Sequence, residues 1–418
     1  MRTSPNQDTA SDALTDPTPI PPPGNPPQPS RTRVCVVQPI LPHYRVPVFE
    51  RLAEQPGIDL EVWAGTGEKR SSLVAASPSE KFRLVAAPQR RIGPFISQPK
   101  QIEAVAAGRF DVVVLSWNAR YLQLGKALRA ARRHGVRTII WGHGYSKREN
   151  WLRRFNRDRF LRNADACLTY NHTAAKTLMA RGHPPEKIFI ALNAIDQAPI
   201  AEARQRWLAQ PEALQQFQRE QQISTTSGGA ILFVSRLEPD KRIDLLLHAF
   251  ATVVRARPAA RLVIIGRGPQ QAKLEALTAQ LGIITAVRFT GAVYEEDQLA
   301  PWFLSASVFA YPVAIGLSIL HAFGYGLPVV TSDDIPSHNP EIEALRPGEN
   351  GLLYRHGDTT AFANAILRIL ENHQEQQRMR EAARQTVAGP DGFTIERMVE
   401  GFADAIAFVM RPSRHAQH

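Results

Sequence analysis

Ala230-Ile231-Leu232-Phe233-Val234-Ser235-Arg236-Leu237-Glu238-Pro239-Asp240-Lys241 decides the architecture. Five consecutive apolar residues read as a strand buried on both faces, and the polar, proline-containing run behind them as a loop leading into a helix. This stretch restarts a pattern that stops upstream. From Gln197 to Gly229 the chain is Gln- and Ala-rich, carries Trp207, Leu214 and Phe217, and ends in Ser224-Thr225-Thr226-Ser227-Gly228-Gly229, the composition of a helical linker and a hinge. Before the linker, strands are expected at 34–37, 60–63, 112–115, 138–141 and 166–169; after it, at 230–234, 262–265, 287–290, 308–311 and 328–331. Helical patterns such as 46–54 and 121–134 separate them, and that alternation specifies parallel sheets covered on both faces. The expectation is an α/β chain of two doubly wound Rossmann-like domains facing across a cleft, with ligand at the carboxyl ends of the strands. The expected division is a disordered Pro-rich tail (1–31, nine of the 32 prolines), a first domain (32–197), a linker (198–228), a second domain (229–390) and a final helix with a tail (391–418).

Composition bounds the function. The 418 residues suit two or three domains, and 44% hydrophobic residues exclude global disorder. No run approaches the ~18 apolar residues of a spanning helix, and the first residues hold no apolar core of a signal peptide. Cys35 and Cys167 stand far apart, which excludes a zinc or disulfide framework on ligand count and fits a reducing cytoplasm. The net charge of +11 is concentrated: residues 118–162 hold 13 Lys or Arg against Glu149 and Asp158. Within that segment, 147–162 reads as a helix on which Trp151, Leu152 and Phe155 share a face with Arg153 and Arg154 interleaved. Either it lies on an anionic membrane surface with Trp151, Arg154 and Phe155 facing the lipid, or it packs on its own domain with a solvated basic rim. A nucleic-acid partner is not expected: the chain is basic, but no helix-turn-helix, RNP or zinc signature appears.

Several strand-to-helix junctions carry residues suited to chemistry. Arg236 and Lys241 follow the 230–234 strand, where they either neutralise a diphosphate or are plain surface cations. Gly266-Arg267-Gly268-Pro269 follows 262–265; a dinucleotide fingerprint wants a third glycine where Gln271 stands, which disfavours oxidoreductase chemistry. After 308–311, Gly316 allows close backbone approach, and the amides of Leu317 and Ser318 open a helix suited to an anion. His321, one turn on, is expected on the cleft side beside Ser318. In the first half, Gly142-His143-Gly144 places His143 at a strand's carboxyl end. In Pro42-His43-Tyr44-Arg45, either His43 and Arg45 touch ligand or Tyr44 and Arg45 brace the next helix.

Read together, these pieces resemble the retaining glycosyltransferase family 4, "glycosyl transferases group 1", with the GT-B fold. The matching segments are Ser235-Arg236-Leu237 with Lys241, Ile264-Ile265-Gly266-Arg267-Gly268-Pro269, Phe289-Thr290-Gly291-Ala292-Val293, Gly326-Leu327-Pro328, Pro340-Glu341-Ile342, Gly348-Glu349-Asn350-Gly351 and Asn193-Ala194-Ile195-Asp196, in order over some 370 residues. The resemblance implies that Arg236 and Lys241 hold the donor diphosphate, helped by the Gly316-Leu317-Ser318 amides and the Gly266 turn. It implies that backbone at Val293 meets the base, that His143 lies near the reacting sugar, and that the final helical pattern, 394–410, crosses back onto the first domain. It further implies retention, no metal or other cofactor, a nucleotide-sugar donor (UDP-sugar ahead of GDP-sugar) and a lipid-linked or glycan acceptor met on the His43 and Arg45 side. The setting implied is bacterial surface-polysaccharide synthesis by a cytoplasmic protein held peripherally at the inner membrane face. One departure stands out. The family's two glutamates eight residues apart fall, aligned on Gly326-Leu327-Pro328, at Val313 and His321. His321 can still bond a ribose, Val313 cannot bond a sugar, and His338 or Glu341 is expected to replace part of the lost contact. The alternatives are a sugar-nucleotide epimerase or phosphorylase of the same fold and a non-catalytic nucleotide-sugar binder.

Overall fold

A computed structural model describes residues 31–65, 79–106, 108–144, 151–223 and 229–412. The tail at 1–30, residues 147–150 of the basic helix and the 224–228 hinge lie outside the described residues. The first domain runs β1 (Thr32–Gln38), α1 (Val46–Ala53), β2 (Ile58–Ala64), β3 (Arg83–Ala86), a hairpin of β4 (Arg90–Ile92) and β5 (Phe95–Ser97), α2 (Lys100–Ala106), β6 (Val112–Ser116), α3 (Leu124–His134), β7 (Arg137–Gly142), α4 (Trp151–Asn163), β8 (Ala166–Thr169), α5 (His172–Ala180) and β9 (Ile188–Ile190). Helices α6 (Ala198–Leu208) and α7 (Pro211–Glu220) follow. The second domain holds β10 (Ala230–Val234), α8 (Ile243–Ala256), β11 (Arg261–Ile265), α9 (Gln271–Gln280), β12 (Val287–Gly291), α10 (Glu296–Ser305), β13 (Val308–Ala310), α11 (Ser318–Gly324), β14 (Val329–Ser332), β15 (Gly351–Tyr354), α12 (Thr359–Glu371) and α13 (His373–Ala388), and α14 (Ile395–Met410) closes the described chain.

Both large sheets are parallel, ordered β3-β2-β1-β6-β7-β8-β9 and β12-β11-β10-β13-β14-β15. The period of two explains how a continuous apolar strand serves two cores. Along β1, Val34 and Val36 enter the cluster under α1 and α14, while Cys35 and Val37 enter the one under α2, α3 and α4. The short β3 and the Arg-rich hairpin carry too few apolar residues to stand out in sequence, β9 is wholly apolar but only three residues long, and β15 hides in the Gly351-Leu352-Leu353-Tyr354 turn region.

Two packing features cross the domain boundaries, and the second is the return of the final helix that the resemblance implies. The 198–220 segment, expected as a helical linker, is helical and docked on the second domain: Ile200 and Ala203 join its core, the Trp207 indole donates to the Asp297 carbonyl at 2.9 Å, and Phe217 lies edge-on to Trp207 and Trp302. Burial of its apolar face holds it there. Helix α14 lies against the first domain: Ile395, Met398, Phe402 and Val409 share a cluster with Val36, Phe49 and Trp141, and the Phe402 ring meets Trp141 at 4.8 Å.

Candidate active-site cleft

The second sheet's carboxyl edge is a set of loops tied to one another. Ser235 N–H donates to the Ile265 carbonyl, Leu237 N–H to Arg267 at 3.0 Å, and Gly266 N–H to Gly291 at 2.8 Å. Gly266 stands at φ +145°, and a β-carbon there would come within 1.9 Å of the Ser235 carbonyl oxygen, so only glycine lets these loops meet. Arg236 is exposed on this edge, 3.7 Å from the Glu238 carboxylate. Lys241 is held in, its side chain only 12% exposed, with Nζ 3.3 Å from Asp240 and donating to the Ala314 carbonyl at 3.4 Å. It thereby joins the loop after β10 to the loop after β13, where Gly316, Leu317 and Ser318 lie. The Tyr311 hydroxyl donates to Ser235 Oγ at 2.9 Å, and burial pushes its phenol up to about 12.

The shape of the Gly316 loop is imposed from behind. His338 is fully buried; its Nδ1 accepts from Ile315 N–H at 3.1 Å and its Nε2–H reaches the Ser332 carbonyl at 2.9 Å. Ala314 sits at φ +57°, a conformation that costs a non-glycine residue on the order of 1 kcal/mol and persists only where surroundings fix it. A β-carbon on Gly316 would meet Asn339 Nδ2 at 2.7 Å. His338 is thus a scaffold for the loop, and its burial corrects the expectation that it takes up a sugar contact. Val313 is buried at 5% exposure, and Val293 packs half-buried against the same core.

His321, one turn after Ser318, meets the neighbouring helix α10. Its Nε2 lies 2.9 Å from Glu296 Oε1, which also accepts from the Tyr325 hydroxyl at 2.5 Å, and its ring lies 4.8 Å from that of Phe303. Burial pushes the Glu296 carboxyl up, but His321 and the Tyr325 hydroxyl outweigh it, and the group ends below the ordinary glutamate range. The same carboxylate, together with burial, drives the Tyr325 phenol far above its usual value. Glu296 escaped the sequence reading because an acid in a helix's first turn looks like an ordinary dipole partner; the signal was its place just after the Gly291–Val293 junction.

On the first-domain edge, His43 and His143 are exposed at the carboxyl ends of β1 and β7, the latter with its ring 4.8 Å from Tyr170. Arg45, expected either to touch ligand or to brace, braces. It is 6% exposed, lies over the Trp141, Tyr44 and Tyr170 rings at 5.2–5.8 Å, and donates to Asn193 Oδ1 at 2.7 Å. Asn193 Nδ2 in turn donates to Glu341 Oε1 of the second domain. Glu341, at 3% exposure, therefore faces the domain junction. Nearby, the Glu343 carboxylate accepts from the His172 and Thr173 amides at 2.8 and 2.9 Å, capping α5 from the other domain, and Asn171 Nδ2 donates to the Pro340 carbonyl at 3.2 Å.

The structure thus brings Arg236, Lys241, Gly266 and the Gly316 loop to one edge and sets Arg45 and Glu341 into the domain junction. Trp151, Arg154 and Phe155 lie on the exposed side of α4. Among the described residues no helix is long and apolar enough to cross a membrane, and no group of three or more His, Cys, Asp or Glu is placed to hold a metal.

Two family models match the chain, Glycosyltransferase Family 4 over residues 49–198 and Glycosyl transferases group 1 over residues 214–386. Among relatives, EpsD of Bacillus subtilis, named as a glycosyltransferase, is 27% identical over 297 residues, covering 68% of this chain and 73% of that protein. The lipopolysaccharide core biosynthesis glycosyltransferase LpsE of Rhizobium meliloti is 29% identical over 163 residues, 38% of this chain and 45% of that protein. Among solved structures, Anabaena Alr3699/HepE in complex with UDP superposes with a TM-score of 0.66 at 15% identity, over 90% of this chain and 99% of that one. The fold is GT-B.

Proposed function

We propose that this GT-B chain, a relative of glycosyltransferases in both of its domains, transfers a sugar from a nucleotide-sugar to a lipid-linked or glycan acceptor in bacterial surface-polysaccharide synthesis. The observation that carries the reading is the second domain's carboxyl edge, where the cation of Lys241, drawn in against the Ala314 carbonyl, and that of Arg236 stand beside the Gly266 turn and the Gly316 loop. Two cations on one edge suit the diphosphate leaving group of a sugar donor, whose developing charge they neutralise as the glycosidic bond to phosphate breaks. With that charge met by side chains and by the Gly316-Leu317-Ser318 backbone, the reaction needs no metal. Val293 backbone receives the base. His143, across the cleft, stands on the side of the reacting sugar and positions it by hydrogen bond. The acceptor hydroxyl attacks from the face that the nucleotide leaves and gives its proton to the departing phosphate, so configuration is retained. UDP is favoured as the carrier, because HepE, the GT-B neighbour of 0.66 TM-score, was solved with UDP.

The exposed Trp151 and Phe155, 75% and 53%, with Arg154 between them, support a peripheral position at the inner, anionic membrane face. The test of the catalytic reading is a thermal-shift screen with UDP, GDP, ADP and their sugar conjugates. A ligand that binds only the folded chain raises the midpoint by mass action. A shift with one base, lost in Arg236→Ala and in Lys241→Ala, is expected. A midpoint indifferent to every nucleotide would refute the donor site. A second reading, a non-catalytic nucleotide-sugar binder, is favoured by the buried apolar Val313; it predicts the same shift with no glycosyl transfer to any acceptor.

A further inference from the structure

We infer that the amino edge of the second sheet carries a phosphate-binding site, separate from the donor edge, in which Arg261 and Arg288 take an oxyanion between the end of α7 and the first residues of β11 and β12. A cavity of about 120 Å³ lies there. Its polar walls are Arg261, Arg288, Gln221, Gln222 and Thr285, and no Asp or Glu lines it. That volume admits a small anion with its waters, whereas a drug-sized ligand takes roughly 300 Å³ or more. Arg261 opens β11 and stands five residues before Gly266, about 16 Å along an extended chain, so a ligand seated on the carboxyl edge does not reach it.

Register brings the two cations together. Paired residues of neighbouring strands point to the same face of a sheet, and along one strand the face repeats every second residue. Val263 pairs with Arg288, and Arg261 lies two residues before Val263, so both arginines stand on one face in adjacent rows. Opposite them α7 ends. Gln222 takes left-handed backbone at φ 55°, with its amide donating to the Arg219 carbonyl at 3.1 Å. The turn sends Ile223, 5% exposed, into the second-domain core, its amide donating to the Gln218 carbonyl at 2.8 Å. Gln221 and Gln222 are thereby set against the cavity.

The charge there is unanswered. Arg261 Nη1 donates to the Pro258 and Ala260 carbonyls at 3.2 and 2.9 Å, while its Nε is shielded from solvent and has no hydrogen-bond partner among the described residues. Residues 221–223, 245–263 and 284–290 hold four Arg and no Asp or Glu. Like charges on one face repel, and a shielded donor without an acceptor forfeits its hydration. An oxyanion supplies the countercharge and the acceptors together. The walls offer guanidinium, amide and hydroxyl donors from three elements, which suits the several oxygens of a tetrahedral phosphate better than the two of a planar carboxylate. Inorganic phosphate and the phosphate of a small ester share that chemistry.

The test is calorimetric titration of the full chain with inorganic phosphate, with glycerol 3-phosphate and with acetate at constant ionic strength. It is run on the parent, Arg261→Gln, Arg288→Gln and Arg236→Ala/Lys241→Ala. The parent is expected to take up phosphate or its ester and not acetate, and the tighter of the two names the source. Kd is expected to weaken by about tenfold or more in Arg261→Gln and in Arg288→Gln, and to stay within about twofold in Arg236→Ala/Lys241→Ala. The nucleotide thermal shift should persist in both glutamine variants. Uptake that survives the glutamine variants and disappears in Arg236→Ala/Lys241→Ala would move the phosphate to the donor edge and overturn the site. No uptake by the parent, or acetate bound as well as phosphate, would overturn it too. Arg288 is exposed on β12, so its variant decides the question even if Arg261→Gln misfolds.

Discussion

Glu341→Gln tests whether the domain junction rests on charge or only on shape. Glutamine keeps the oxygen that accepts from Asn193 Nδ2 and removes the charge alone. Arg45, 6% exposed, then keeps its cation among Trp141, Tyr44 and Tyr170 with Asn193 Oδ1 as an acceptor, and the carboxylate charge beyond Asn193 is gone. Removing one partner of a buried ion pair in direct contact costs about 3–5 kcal/mol; here an amide stands between the charges, so about 2–3 kcal/mol is expected. Arg45→Met should cost a similar amount, since it removes the cation that Asn193 links to the carboxylate and loses the ring contacts. In the double variant both charges are gone, so its loss should fall short of the sum of the singles by about 1–2 kcal/mol. The assay is urea unfolding followed by tryptophan fluorescence, with hydrogen exchange at the His172 and Thr173 amides as a local report on the junction. If the two losses add to within about 0.5 kcal/mol, the residues are uncoupled and the relay through Asn193 carries no electrostatic role.

Phe402→Ala removes a fully buried ring packed on Phe49 and Trp141, and a loss of about 3–5 kcal/mol in first-domain stability is expected from urea unfolding. Glu296 sits below the ordinary carboxyl range in the folded state, so its contribution is complete above the unfolded value near 4.5 and is lost as pH falls through the lower folded value; Glu296→Gln should flatten acid unfolding in that window, and an unchanged acid limb would refute the pairing with His321 and Tyr325. Cys35 and Cys167 are buried, and burial pushes the Cys167 thiol up to about 12 and that of Cys35 well above its usual value, so neither should react with iodoacetamide at pH 8 until urea unfolds the chain; mass spectrometry counts the adducts.

The two-sheet plan was legible because strands buried on both faces announce themselves as unbroken apolar runs, as in Val112–Ser116 and Ala230–Val234. The Gly266 turn and the edge position of Arg236 and Lys241 followed from that plan, since a strand's end locates its loop. What stayed hidden depends on partners distant in sequence. No local pattern distinguishes an Arg45 that meets substrate from one that meets Asn193, 148 positions away, or a His338 that bonds sugar from one that holds the Ile315 amide. For His321, helical spacing gives the side the residue occupies but not the carboxylate on α10 that meets its ring. The 198–220 segment looked like a linker because its few apolar residues, Trp207 and Phe217 among them, are spaced for docking on a neighbour that the sequence does not display.

The position of α14 also has a schedule attached. The cluster around Phe49 and Trp141 includes Ile395, Met398 and Phe402, which the ribosome adds some 200 residues after β9. At ~5–20 residues per second that interval is roughly 10–40 s. Throughout it the second domain can fold as a self-contained unit, whereas the first must wait with one flank of its sheet uncovered, an aromatic surface exposed to the crowded interior of the cell. The earliest-made part of the chain is therefore the last to be finished, and a stop codon ahead of residue 395 would leave it with Phe49 and Trp141 exposed and a holdase chaperone as its natural companion.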